Sequence, residues 1–199
     1  MMTDVPFKGM PKMYRISRSC IITEKIDGTN AQVYITPDLD MFVGSKNRWI
    51  QPENDNAGFA KWAYQNKDEL LTLGPGQHFG EWWGSGIQRG YGLQEKRFSL
   101  FDSNRWAVRG ERRLPLFGAT LVSDKIQEYP PTCCDVVPEL YRGDFSTKVV
   151  DLMLDQLVSK GSRAAPGCKV KPEGVVIYHL HSRVSFKKTY PGDGHKGKA

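Results

Sequence analysis

Residues 23–35 read TEKIDGTNAQVYI, and the polar insert Lys25-Ile26-Asp27-Gly28-Thr29-Asn30 sets the chemical question. A lysine amine can act as a nucleophile or bind phosphate, and an aspartate can pair with a cation. Asp-Gly is also a strong hairpin signal. The insert therefore reads either as an ordinary turn or as an active-site loop on a rigid two-strand scaffold.

Three further polar islands follow. GSKNRW, at 44–49, holds Lys46 and Arg48 at a strand end. FGEWWGSGIQRGYG, at 79–92, places Glu81 after a strand and then glycines at 84, 86, 90 and 92, which let backbone approach a ligand closely. KPEGVVIYHLHSRVSFKKTY, at 171–190, puts Glu173 at the start of one strand and Lys187-Lys188 at the end of the next. Each alone has a plain explanation: a surface charge, a turn, or lysines guarding an edge strand. Together they place amines and acids at strand ends, where a sheet can gather them into one cleft. That set suits a phosphate ester with a metal ion.

The elements that must position these groups are mostly short strands. Candidates are 20–23, 31–36, 40–43, 78–83, 98–102, 133–137, 174–180 and 183–187, rich in β-branched and aromatic residues. Two segments carry helical periodicity. One, 54–71, has Asn54 or Asp55 as N-cap. The other has Ser146 as N-cap, Gly161 as stop, and an apolar face of Val149, Val150, Met153, Leu157 and Val158. Many strands with two inserted helices predict an α+β fold with antiparallel sheets.

The 199 residues suit one domain, expected over 1–190, with a flexible basic tail at 191–199. A hydrophobic content of 39% allows a core, and a net charge of +6 favours a polyanionic partner. No apolar run reaches membrane-spanning length and no secretory signal is visible, so no membrane partner is expected. Cys20, Cys133, Cys134 and Cys168 lack C-x-x-C spacing and read as reduced thiols of a cytoplasmic protein. His179 and His181 sit at i, i+2 without a third metal ligand nearby. Arg105, Arg109, Arg112 and Arg113 form a basic stretch that reads equally as phosphate contacts or as a solvated turn.

Taken in order, these islands resemble the motifs of the covalent nucleotidyltransferases: DNA ligases, RNA ligases and mRNA capping enzymes. Lys25-x-Asp27-Gly28 is similar to their nucleophile motif, SKNR to the short motif after it, and GEWWG to the third. Phe101 in FSLFD resembles the aromatic that stacks on the base, EGVV the fourth motif, and VSFKK the fifth. Asn30, where DNA ligases carry an arginine, and the form of GEWWGSGIQ lean toward the RNA ligase 2 group.

The resemblance implies a nucleotidyltransferase fold, with antiparallel sheets flanked by helices around a nucleotide cleft. It implies an ATP-dependent ligase in which Lys25 takes AMP from ATP with Mg²⁺ or Mn²⁺. The AMP passes to a 5′-phosphate, and a 3′-hydroxyl then seals the break. Catalysis falls to Lys25, Glu173 and Lys187, with Glu173 also at the metal. Nucleotide contacts fall to Glu24, Ile26, Asn30, Arg48, Glu81, Phe101, Lys187 and Lys188, with Glu24 helping to select adenine. Lys187 fits the last motif better than Lys188, because adjacent residues point to opposite faces of a strand. The nucleic acid would be RNA ends or a nicked duplex. The 11 residues after Lys188 are too few for the C-terminal domain that follows in RNA ligase 2, so a partner protein supplying it is a possible component. The alternatives are a minimal DNA ligase adenylation domain or a GTP-dependent capping guanylyltransferase, and, outside enzymes, a nucleic-acid-binding module.

Overall fold

A computed structural model describes residues 8–16, 18–107 and 128–190. Among the described residues nine strands form two sheets. The first sheet holds β1 (Ser19–Lys25), β7 (Glu139–Asp144), β8 (Gly174–His179) and β9 (Val184–Thr189), in the order β7-β1-β8-β9. The second holds β2 (Thr29–Ile35), β3 (Met41–Ser45), β4 (Gly76–Gly84), β5 (Lys96–Leu100) and β6 (Cys134–Val136), in the order β3-β2-β4-β5-β6. Pairing is antiparallel except between β5 and β6, which run parallel. The arrangement is α+β, with this one departure from purely antiparallel sheets.

Alternation along each strand divides the faces. On β1, Cys20 and Ile22 pack with Val175 and Ile177 of β8 under the helix α3 (Thr147–Lys160), which supplies Val150, Met153, Leu154 and Leu157. On β2, Ala31, Val33 and Ile35 pack under Phe59, Ala60, Ala63 and Leu70 of α1 (Phe59–Gln65) and α2 (Lys67–Leu71). A third cluster of Ile26, Trp83, Tyr91, Val137 and Ala165 fills the junction between the sheets. The opposite faces of the two sheets line a common cleft.

Strand placement follows the sequence closely, with shifts of one or two residues at the ends. β7 escapes the sequence reading because Glu139-Leu140-Tyr141-Arg142-Gly143-Asp144 is polar, and it alternates only weakly. α3 begins at Ser146, whose hydroxyl accepts from the Val149 amide, and stops at Gly161. Its buried face includes Leu154, while Val158 is exposed, a shift of the apolar stripe by about one residue.

The expected helix over 54–71 is instead two short helices that begin only at Phe59. A single 3-10 turn at Pro52–Asn54 is followed by α1 and α2, which meet at Asn66. α1 starts from Gly58 in the left-handed conformation (φ 84°). Asp55 still caps it, from further back: its carboxylate accepts from the Ala60 and Lys61 amides at 2.7 and 3.0 Å. Those amides are among the donors that a helix start leaves unsatisfied. Among the described residues no helix is long and apolar enough to cross a membrane. Arg109, Arg112, Arg113 and the basic tail lie outside the described residues.

Candidate active site

β1 ends at Lys25, and its antiparallel register sets Lys25 opposite Gly174 of β8. That pairing puts Glu173 beside the amine: Lys25 Nζ lies 2.6 Å from Glu173 Oε2. Glu173 is buried, and Lys25 keeps a fifth of its side chain exposed on the cleft side. Two residues far apart in sequence thus become an ion pair because one strand ends where its partner begins. Gly174 is required there, since a Cβ would run into the Lys188 carbonyl of β9. The β1–β7 register shifts between Ile22 and Thr23, and Thr23 pairs with Glu139 at the last step before the lysine loop.

The loop after Lys25 is clamped from beneath. Gly28 lies so close to β4 that a Cβ would meet the Trp82 carbonyl oxygen at 2.5 Å and Trp83 Cβ at 2.7 Å. Its amide donates to Glu81 Oε1 at 3.1 Å, and Asn30 Nδ2 donates to Glu81 Oε2 at 3.2 Å. The Asp27 amide donates to the Tyr91 hydroxyl, and Arg89 Nε pairs with Asp27 Oδ2 at 2.7 Å. Arg89 also donates to the Lys171 carbonyl, just ahead of Glu173. The glycine-rich loop is therefore a brace for the lysine loop. Gly84, Gly86, Gly90 and Gly92 all have positive φ, and at Gly86 and Gly92 nothing lies within 4 Å of a would-be Cβ. Positive φ at these four positions suits the tight turns of the loop, and at Gly84 a Cβ would also run into the Glu95 carbonyl. Arg89 is engaged in this brace through Asp27 and the Lys171 carbonyl. The only sequence signal for that role is Asp27 itself, two residues after the lysine.

The cleft so formed encloses about 990 Å³. Lys25, Thr23, Val176 and Tyr178 line it from the first sheet, and Asn30, Gln32, Phe79 and Glu81 from the second. Phe101 stands just past β5, 41% exposed, beside Phe79, whose ring the sequence reading did not single out. Burial pushes the Glu81 carboxyl up to about 7, against the pull of Lys25 and of the Gly28 amide. Both of its oxygens accept hydrogen bonds from the loop, from the Gly28 amide and from Asn30.

The other sequence-derived positions divide. Lys46 lines the cleft. Arg48 is exposed and donates to the Asn54 carbonyl at 3.0 Å. Ile26 reaches the cleft wall, but its side chain is buried in the junction cluster, leaving its backbone to make any contact there. Glu24 is buried, and its Oε2 accepts from the Arg163 and Ala164 amides at 2.7 and 3.0 Å. Strand alternation turns this carboxylate away from the Lys25 side, although the residue still lines the cleft. Burial raises its carboxyl above the usual range, and its Oε1 has no partner among the described residues.

Lys187 and Lys188 separate in the same way. Lys187 pairs in register with Val176, a cleft residue, whereas Lys188 pairs with Val175 of the α3 core. Lys188 forms an ion pair with Asp151 of α3 on the outer face. Alternation thus sets the two adjacent lysines on opposite faces of β9. Arg105 donates to the Leu73 carbonyl and stacks over Trp106, which gives it a structural role.

A model of the RNA ligase family matches residues 18–189, nearly the whole length of the chain. The chain belongs to the RNA ligase family. Solved structures agree in fold. A mutant of the Naegleria gruberi RNA ligase with ATP and Mn is 20% identical, with a TM-score of 0.56 over 87% of this chain and 50% of that one. A second mutant of it, with AMP and Mn, is 22% identical, with a TM-score of 0.55 over 87% and 50%. The same ligase with PPi is 22% identical, with a TM-score of 0.54 over 86% and 49%. The chain thus spans about half the length of these relatives. Among curated proteins none matches.

Proposed function

We propose that this chain is an ATP-dependent RNA ligase that works through a lysyl-AMP intermediate on Lys25. The observation that carries this reading is the Lys25–Glu173 pair at 2.6 Å, with Lys25 lining a cleft that Glu81, Phe79 and Phe101 also line. The Lys25 amine attacks the α-phosphorus of ATP, and the bond to pyrophosphate breaks. The ammonium must lose a proton for this, and Glu173 is positioned to accept it. Phe101 and Phe79 offer faces for the adenine ring. Glu81, when ionised, accepts from ribose hydroxyls, and Asn30 orients it. The Glu24 and Ile26 backbone lies at the cleft wall, where carbonyl and amide can distinguish adenine from guanine. Lys187, in register with Val176 of the cleft wall, neutralises phosphate charge. AMP then passes to the 5′-phosphate of an RNA, and a 3′-hydroxyl displaces it.

Mg²⁺ or Mn²⁺ fits this site as an ion shared with the substrate. Among the described residues no group of three or more His, Cys, Asp and Glu forms a cage. Mg²⁺ is ordinarily held by one or two carboxylates together with substrate phosphates. Glu173, the carboxylate beside the Lys25 amine, would hold it together with the substrate phosphates. When bound, the ion supplies positive charge against the phosphates.

The test is intact-mass spectrometry after incubation with ATP and Mg²⁺. Wild type is expected to gain one adenylyl group and Lys25→Ala none. An adduct of equal yield on the alanine variant would overturn the reading.

A further inference from the structure

Beyond the cleft, the same face of the second sheet carries three aromatic rings in mutual contact. Tyr34, Phe42 and Trp49 have ring centroids 6.0–6.2 Å apart. Phe42 is 46% and Trp49 52% exposed. Large rings left in water on a sheet face need an explanation beyond cross-strand packing.

Their position supplies one. Tyr34 pairs in register with Phe42 on one side and Gln77 on the other. Gln77 donates to Gln32 at 2.6 Å, and both glutamines line the cleft. The ring cluster is thus the next row outward from the cleft wall. Trp49 bridges back to Gly44, and the turn between them carries Lys46 and Arg48, both exposed. Asp38 and Asp40 sit at the opposite end of the hairpin, so the cationic edge lies on the Lys46 side.

We infer that Tyr34, Phe42 and Trp49 form a stacking platform for unpaired bases of the RNA whose end enters the cleft, with Lys46 and Arg48 on its phosphates. Aromatic rings beside a cationic edge are how single strands are held without sequence preference. A second copy of the chain is disfavoured, because it would bring two cationic edges of a basic protein together. The inference rests on the proposed function only in taking RNA as the substrate.

The experiment is a fluorescence-anisotropy titration of a labelled single-stranded RNA oligonucleotide with the full chain. Wild type is compared with Phe42→Ala/Trp49→Ala and with the ring-conserving Phe42→Tyr/Trp49→Phe. The alanine pair is expected to bind about tenfold or more weakly, the scale of base–aromatic stacking. Its salt dependence should be unchanged, since no phosphate contact is removed. The ring-conserving pair should bind like wild type, and all three should form lysyl-AMP at one rate. Trp49→Ala alone serves if the double variant does not fold. Equal RNA affinity across the variants would overturn the platform. So would an alanine pair that converts a dimer to monomer with RNA binding intact. Failure of wild type to form lysyl-AMP would instead count against the proposed function, because the binding comparison does not require adenylylation.

Discussion

Adjacent lysines with opposite orientations make a sharp test of the last motif. Lys187→Ala removes a cationic group on the cleft face and should slow lysyl-AMP formation by at least about 100-fold, the scale of lost transition-state electrostatics. Lys188→Ala breaks an ion pair with Asp151 between partly exposed groups, so its adenylylation rate should stay within a few-fold of wild type. Single-turnover rates on the two variants check this, and the reverse pattern would place the motif one residue later. Glu81 gives a pH signature. Its folded-state pKa is raised from 4.5 to about 7, chiefly by burial. The folded state therefore holds this proton more tightly than the unfolded chain. The stability that this provides is complete below about 4.5 and lost as pH rises through about 7. Thermal unfolding of Glu81→Gln should show a weaker decline in Tm over that window than wild type. Parallel pH profiles would show that Glu81 titrates normally.

Strand ends and turns carry the site, so element-level changes should be read there. Gly28→Ala would force a Cβ against the Trp82 carbonyl and Trp83. The lysine loop would have to lift off β4, losing the Gly28–Glu81 hydrogen bond with it. Adenylylation should fall steeply while the unfolding transition stays cooperative, since the clash falls on the Trp82 carbonyl and Trp83 Cβ and leaves the α3 core untouched. Ser146→Ala makes the opposite contrast. It removes the hydroxyl that caps α3 at the Val149 amide, at a cost of about 1 kcal/mol. Denaturant titration should register that loss with adenylylation unchanged, because α3 backs the first sheet on the side away from the cleft.

For the molecule as a whole, charge and the choice of nucleic acid follow from the same arrangement. The chain carries a net charge of +6, and the cleft rim presents Lys46. RNA affinity should fall steeply with salt, linearly in logarithmic coordinates. Sealing of matched nicks that differ only in the sugars flanking the break should be faster with ribose at the 3′-hydroxyl side, where the 2′-hydroxyl or A-form shape can be sensed. A gel assay at low salt reads this, and equal sealing of an all-DNA nick would shift the assignment toward a DNA ligase.

Much of the architecture was legible because its signals are local. Alternating β-branched residues marked most strands, and Ser146 and Gly161 bounded α3, since a cap or a stop acts within a few residues of itself. Motif order identified Lys25, Glu81, Phe101, Glu173 and Lys187 as candidates, because residue type and strand-end position survive in one dimension. Pairing decided the rest. The sequence could not say that Lys25 meets Glu173, since that contact spans the β1–β8 register. It could not say that Arg89 braces Asp27, that Glu24 turns its carboxylate to the Arg163 and Ala164 amides, or that Tyr34, Phe42 and Trp49 cluster beside the cleft. The strand β7 was invisible because polar residues pair as strand only when a neighbour such as β1 offers its edge. Side-chain direction is fixed by strand alternation once register is set, and register is a property of two segments together.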